Sequence, residues 1–444
     1  MDSKDGIVFA RDKSGSHALH RILTELTEQF EGLPPVPRLR DFRKEYSTWL
    51  PEFERCRLEH TSRRAIAERA ARSFIDALEL RGEALGEAVK SSHSPAAHLN
   101  CIEGQGQPML PLRFGEQTAA DVARTLYDHG GCSEAVVDGV RWVSDHTEEL
   151  TLKDRQFALF GAGAELAPTK HLLAAGADVL WDVLWVDLEP PKPDTLGTFS
   201  GRLFHCPDGL DLLREPARVR ATIEAFASGP VHVGLFAYAP GGAREWRLCA
   251  SMNALVEALE PERLASISLL LSPASPAVAA PFRRQEPTAV ARLLPNNGGG
   301  MAGNVVRNVV PAQGLSYQAA QYIGKRLTVE AWRARLPSSC RISANMAGIS
   351  RTSSIAHPLF EAAFAGAHRL GVTIFDASFT SGLCTWLMLR DVFGPEKLPE
   401  ELFAQQVHGG VLGLPLPLER AITAAATLGL TTKPSLIGRV LRGR

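Results

Sequence analysis

Residues 157–188 read FALFGAGAELAPTKHLLAAGADVLWDVLWVDL, and the parsing of this stretch decides the fold. FALF is a short apolar run that ends at once in glycine, which predicts a buried strand followed by a tight turn. PTKHLLAAGA then opens on proline and closes on Gly176, the punctuation of a helix start and a helix stop. DVLWDVLWVDL is a second apolar run. Strand, turn, helix, strand predicts a βαβ unit and therefore a parallel sheet.

The turn carries a chemical expectation. Read as G-x-x-[GA]-x-x-[GA], its small positions are Gly161, Ala164 and Ala167; read as G-x-G-x-x-x-A, they are Gly161, Gly163 and Ala167. A phosphate needs backbone N–H groups and no bulky side chain in its way, so small residues here suit a nucleotide. An acidic residue at the end of the second strand would accept hydrogen bonds from a ribose diol. VLW occurs twice, so that residue is either Asp182 or Asp187. Neither is followed by an arginine suited to a 2′-phosphate, which inclines the reading toward NAD over NADP. The same pattern also resembles a methyltransferase that binds S-adenosylmethionine.

The alternation continues downstream. VHVGLFAYAPGG, ASISLLLSPASP, CRISANMAG and LGVTIFDAS read as further strands among helical segments. The fold class expected is α/β, a doubly wound parallel sheet with helices on both faces. The stretch from Ser272 to Tyr317 interrupts this order, and its NNGGGMAGN run (296–304) is either a lid over a site or a surface insertion.

Outside this core the character changes. HALHRILTELTEQF and EHTSRRAIAERAARSFIDALELRGEALGEAVK have helical spacing, the second as one long amphipathic helix whose arginines 63, 64, 69 and 72 form a solvated face. Three regions follow: a mostly helical N-terminal domain (1–148), the α/β domain (149–390) and a helical C-terminal extension (391–444). His17 with His20, and His93 with His98, are ligands by type but lack a metal-binding pattern. With 48 Lys+Arg against 49 Asp+Glu the chain has no net field to draw nucleic acid. Seven scattered cysteines without a C-x-x-C suit reduced thiols, the N-terminus lacks a signal-peptide core, and no run is long and apolar enough for a membrane span. The expectation is a cytoplasmic protein acting on a small molecule, with no nucleic acid and no membrane as partner; homo-oligomerisation stays open.

Five later features fall in the order used by the short-chain dehydrogenase/reductase family, which residues 155–385 resemble. The loop Ala237–Gly242, with Ala239 and Gly241, stands where that family has N-N-A-G. Trp246 and Asn253 resemble its W-x6-N. Ser272, with Ser275 as the alternative, closes a strand where the family carries a serine, and Tyr317 begins a helix, in GLSYQAAQYIGKRL. RISANMAGISRT (341–352) is similar to its strand, turn and threonine beside the nicotinamide. The departure is Gln321, four after Tyr317, where the family has lysine; Lys325 lies one turn further.

The resemblance implies a Rossmann-like fold and an NAD- or NADP-dependent oxidoreductase. Tyr317 would protonate a carbonyl oxygen, Ser272 would hold it, Asn253 would anchor a water, and Gln321 would hold the ribose. Lys325 would reach a phosphate or a substrate carboxylate. Gly161, Gly163, Ala164 and Ala167 would seat the pyrophosphate. A glutamine brings no positive charge to lower the tyrosine's pKa, so Tyr317 is expected to act as an acid rather than a base, favouring reduction of a small to medium-sized, partly hydrophobic carbonyl compound. Two rivals stand beside this: an S-adenosylmethionine-dependent methyltransferase, and a non-catalytic nucleotide-binding scaffold in which Tyr317, Gln321 and Lys325 are only the polar edge of an amphipathic helix.

Overall fold

The FALF run lies at the centre of a seven-stranded sheet. The computed structural model of the chain describes residues 6–438 except 92, 111–112, 151, 183–195, 240, 242, 296–298, 354, 356–357 and 396–402. In chain order the sheet and its connections are β1 (Gln156–Phe160), α1 (Thr169–Ala174), β2 (Asp178–Asp182), β3 (Arg202–His205), α2 (Pro216–Phe226), β4 (Val231–Leu235), α3 (Arg244–Ala258) and β5 (Leu264–Leu271). Then come α4, a continuous helix made of Leu315–Ala319, Ala320–Leu327 and Thr328–Arg335, and β6 (Arg341–Met346). Three further helices complete the frame: α5 (Pro358–Gly366), α6 (Ala377–Phe393) and α7 (Leu418–Thr432).

The strand order is β6-β5-β4-β1-β2-β3, with Asn100–Glu103 added beyond β3. All neighbours are parallel except that last strand, which runs antiparallel to β3. From β1 the chain steps outward through β2 and β3, then returns to lay β4 on the other side of β1 and steps outward again. That reversal leaves a crevice beyond the carboxyl ends of β1 and β4.

Both faces of the sheet are buried, and for that reason its strands read as nearly unbroken apolar runs. Ala158 and Phe160 face one cluster, with Trp246 and Tyr322; Phe157 and Leu159 face the other, with Trp386 and Leu387. On the second face His232 stacks on Phe157 at 4.6 Å, and its Nδ1 lies 2.8 Å from Ser266 Oγ. Burial lowers the His232 pKa to about 4, so the ring is neutral core.

Some elements differ from the sequence expectation. β3 has no apolar run to announce it: four residues, polar at both ends, recruited by pairing with β2. LGVTIFDAS yields only the pair Phe375–Asp376, bonded to Ser350–Arg351 outside the main sheet, because α6 begins at Ala377. The long helix expected over 59–90 is divided. Arg63–Asp76 ends in a hairpin of Leu78–Leu80 and Glu83–Ala84, turned by Arg81 and Gly82 at positive φ, and Leu85–Ser91 follows. The described part of the glycine-rich insertion forms a small hairpin, Met301–Ala302 with Val305–Val306, packed on helix Leu39–Glu59. Arg307 is paired there with Glu52 at 3.0 Å.

Helices within residues 1–148 pack on both faces. Ile7, Leu19, Phe53 and Phe74 share the cluster of Trp246, whereas Val136 and Val140 join that of Trp386. A buried ionic network ties the first group to α4. Arg57 Nε meets Glu54 Oε2 at 2.7 Å, Arg326 Nε meets Glu54 Oε1 at 2.9 Å, and Tyr322 donates to Glu54. Glu330 pairs in turn with Arg57 at 3.0 Å and Arg63 at 2.7 Å.

A second buried polar group lies on the opposite face. Asp391 of α6 accepts from Ser343 Oγ at 2.9 Å, Asn345 Nδ2 at 3.0 Å and Gln405 Nε2 at 2.5 Å. Burial pushes its carboxyl up to about 6, against these hydrogen bonds and nearby Arg390. A folded-state pKa above the unfolded value gives stability that is fully present below about pH 4 and is lost as pH rises through about 6. From pH 4 to pH 7 Asp391→Asn, which cannot titrate there, should therefore gain unfolding free energy relative to the wild type; a difference between the two proteins that does not change with pH would show that the carboxyl is not so shifted.

Candidate functional site

The carboxyl ends of β1, β4, β5 and β6 open into one cavity of about 1490 Å³. That exceeds the ~300–1,000 Å³ typical of a site for one small ligand. Gly161, Gly163, Ala164 and Ala167 line it after β1, Ala239 and Gly241 after β4, Ser272 after β5, and Tyr317, Gln321 and Lys325 along α4. Residues scattered over 164 positions of sequence are thus gathered by the strand order.

Gly161 has φ +76°, and a Cβ there would fall on the backbone of Ala237, because Phe236 N donates to Phe160 O at 2.8 Å and brings the two strand ends together. The glycine is therefore required by the chain itself, before any ligand. Gly161→Ala should lose about 1–3 kcal/mol of stability without any ligand present, seen as a lower thermal midpoint; an unchanged midpoint would contradict the packing described. The amides of Ala164 and Ala167 are occupied within the turn, donating to Gly161 O and Ala164 O at 2.9 Å each. The turn is pinned by Thr169 Oγ1 on Ala162 O at 2.6 Å and Ser381 Oγ on Ala167 O at 2.8 Å. Glu165 bridges to the loop after β6, accepting from Ser353 N and Ser353 Oγ at 2.8 Å each.

Ser272, Gln313 and Tyr317 all line the cavity, and Ser272 and Gln313 lie near enough to the phenol to bear on its pKa. Burial pushes the Tyr317 hydroxyl up to about 12; Ser272 and Gln313 pull the other way, and the Glu245 carboxylate adds to the rise. The Tyr238 ring stands edge-on to Tyr317 at 6.3 Å. Glu245, in the first turn of α3, lines the cavity, and burial raises its pKa against the pull of the Gly241 amide and its own. Ser275, the alternative serine, is fully buried and does not line the cavity.

Gln321 Oε1 accepts from the amide of Ser272 at 3.0 Å, so its carbonyl end holds the serine's backbone in place. Lys325 Nζ donates to Leu270 O at 2.7 Å, and burial lowers its pKa. Ala320–Leu327 is a π-helical turn, a feature that recurs at functional sites. Gly324 lets Phe74 and Cys249 press against this segment. Asn253 does not line the cavity: its Nδ2 donates to Gly324 O at 2.7 Å, and it is 1% exposed. Trp246 is likewise core, stacked on Phe74 at 4.8 Å. Asp182 ends β2 opposite Phe160, the residue before Gly161; its side chain and all of Asp187 lie outside the described residues.

The residues that sequence reasoning missed are Gln313, Tyr238 and Glu245, together with an apolar stretch of wall from α5 and α7. Tyr238 and Glu245 sit inside or beside the loop already singled out; Gln313 carries no local signal. His171 also lines the cavity, and burial lowers its pKa to about 4, so it adds no charge at neutral pH. Among the described residues no group of three or more His, Cys, Asp or Glu could hold a metal ion, and no helix is long and apolar enough to cross a membrane. His17 and His20 are bonded instead to Ser14 Oγ and Pro37 O. No protein-family model matches the chain, and no curated protein is significantly similar to it.

Proposed function

We propose that this chain is an NAD(P)-dependent oxidoreductase of short-chain-dehydrogenase type that reduces a carbonyl group. The observation that carries the reading is that Ser272 and Tyr317, 45 positions apart, line one crevice at the carboxyl end of a parallel sheet. Numbered along the chain, the parallel strands run 3-2-1-4-5-6, the order of the Rossmann-like doubly wound sheet, whose ligands lie over the reversal between strands 1 and 4.

The lining of the crevice supports a dinucleotide as its ligand. Gly161, Ala162, Gly163 and Ala164 on one side and Ala237, Ala239 and Gly241 on the other give the crevice small side chains, with the larger Phe236 and Tyr238 between them. Asp182 closes the neighbouring strand, where a ribose acceptor belongs. Because two amides of the turn are already bonded, the seat would rest on the remaining backbone of Gly161–Ala167 and on the loop after β4. When bound, the nicotinamide would supply the hydride.

The protein's own part is proton supply and orientation. Ser272 would hold the carbonyl oxygen, and Tyr317 would give it a proton as alkoxide character develops. With its hydroxyl pushed up to about 12 and no lysine at position 321, Tyr317 keeps its proton at neutral pH, which favours reduction over oxidation. Gln321 would act by positioning Ser272.

The test is turnover. NADH or NADPH is mixed with the protein and a panel of aldehydes and ketones, and loss of reduced-nicotinamide absorbance is followed. Consumption that depends on both protein and carbonyl supports the reading. No consumption with any carbonyl, together with a thermal midpoint raised by S-adenosylmethionine alone, overturns it.

A further inference from the structure

The cavity wall divides by chemistry. Around the strand ends it carries Lys170, Arg244, Glu245, Ser272, Tyr317 and Lys325. Beyond them it becomes an arm walled by α5, α7 and the loops that follow α5 and precede α7, with Phe360, Phe364, Ile374, Leu414, Leu418 and Ile422 among its lining. No charged residue contributes to this part of the described lining.

The arm is built to hold its shape. α5 and α7 cross in close contact: a Cβ on Gly366 would fall on Ala425 O, and one on Gly429 on Ala362 O. Small residues make the crossing, so the larger apolar side chains are left to face the cavity. The lining takes in Phe360 to Ala367 from the first of these segments and Leu418 to Ala425 from the second, about 10 Å along each by helical rise. Val310 and Ala312, which precede Gln313 and Tyr317 in the chain, add further apolar lining to the same cavity.

We infer that the substrate is an uncharged carbonyl compound with an extended apolar chain, the chain lying along the apolar wall that α5 and α7 form together and the carbonyl at Ser272 and Tyr317. This rests on the oxidoreductase reading for the reaction, but the binding of the chain is a separate claim. A carboxylate or phosphate tail would have no partner in the arm, and desolvating it there would weaken binding. Each methylene moved from water into the arm strengthens binding about fourfold. Ala421 and Phe364 set the length: the first leaves room, the second occupies it.

The experiment uses the full chain with NADPH and straight-chain aldehydes from propanal to decanal, alongside calorimetric titration with decan-1-ol in the absence of cofactor. kcat/KM should rise about fourfold per methylene until the arm is filled. Ala421→Phe should reduce the decanal-to-propanal ratio at least tenfold, and Phe364→Ala, a widening change, should move the optimum to a longer chain. Decanol binding that weakens at least tenfold in Ala421→Phe, with no aldehyde turned over, supports the arm and overturns the oxidoreductase reading. Turnover independent of chain length, with no decanol binding, supports that reading and overturns the arm. Should Ala421→Phe fail to fold, the shift in Phe364→Ala decides: an unmoved optimum overturns the inference.

Discussion

Tyr317→Phe is expected to lower the rate of carbonyl reduction by about 10²–10⁴-fold, the contribution of a positioned proton donor, and to leave dinucleotide affinity within about twofold. The substitution removes one oxygen from a ring that Tyr238 continues to flank, so the cavity wall keeps its shape. Ser272 keeps its own bonds: its amide stays on Gln321 and its Oγ on the amide of Ala274 at 3.1 Å. Since the phenol is held at about 12, the wild-type rate should show no titration of Tyr317 near neutral pH. A Tyr317→Phe enzyme with a tenth or more of the wild-type kcat would remove Tyr317 from the chemistry.

Glu54→Ala should be the most destabilising single change among the buried charges, by about 3–5 kcal/mol, because it strands cations rather than deleting a pair. The side chains of Glu54 and Arg57 are both 0% exposed. Burial alone would raise the Glu54 carboxyl; Arg57 and Arg326 outweigh it and hold the group at about 2. A depressed folded-state pKa gives stability that is intact above about pH 4.5 and is lost only as pH falls toward 2. Denaturant unfolding at pH 7 and at pH 3 measures both statements: the gap between wild type and Glu54→Ala should narrow at the lower pH. A loss below about 1 kcal/mol at pH 7 would show that the network carries little net stability.

These two residues also show what was legible in the sequence. Tyr317 and Tyr322 both occur in SYQAAQY, yet one faces the cavity and the other donates to Glu54 in the core. Spacing along the helix distinguishes the two faces, and the glycine turn after FALF identifies which face meets the crevice. The partners across space carry no such signal. Gln321 has the right spacing for a ribose and is engaged by the Ser272 amide, 49 positions away. Asn253 sits seven after Trp246 as expected, but its amide answers a carbonyl of the π-helical turn, which a 3.6-residue pattern does not reveal. β3 is made a strand by its neighbour more than by its own residues. The apolar arm depends on two glycines, 366 and 429, that meet only when α5 and α7 cross.

The most direct test of the central claim is a calorimetric titration of the purified chain with NADH, NADPH and S-adenosylmethionine in turn. The proposed oxidoreductase function predicts saturable binding of at least one reduced dinucleotide, with affinity of roughly 1 μM–1 mM, kept within about twofold in Tyr317→Phe. Binding of S-adenosylmethionine with no response to either dinucleotide would contradict it.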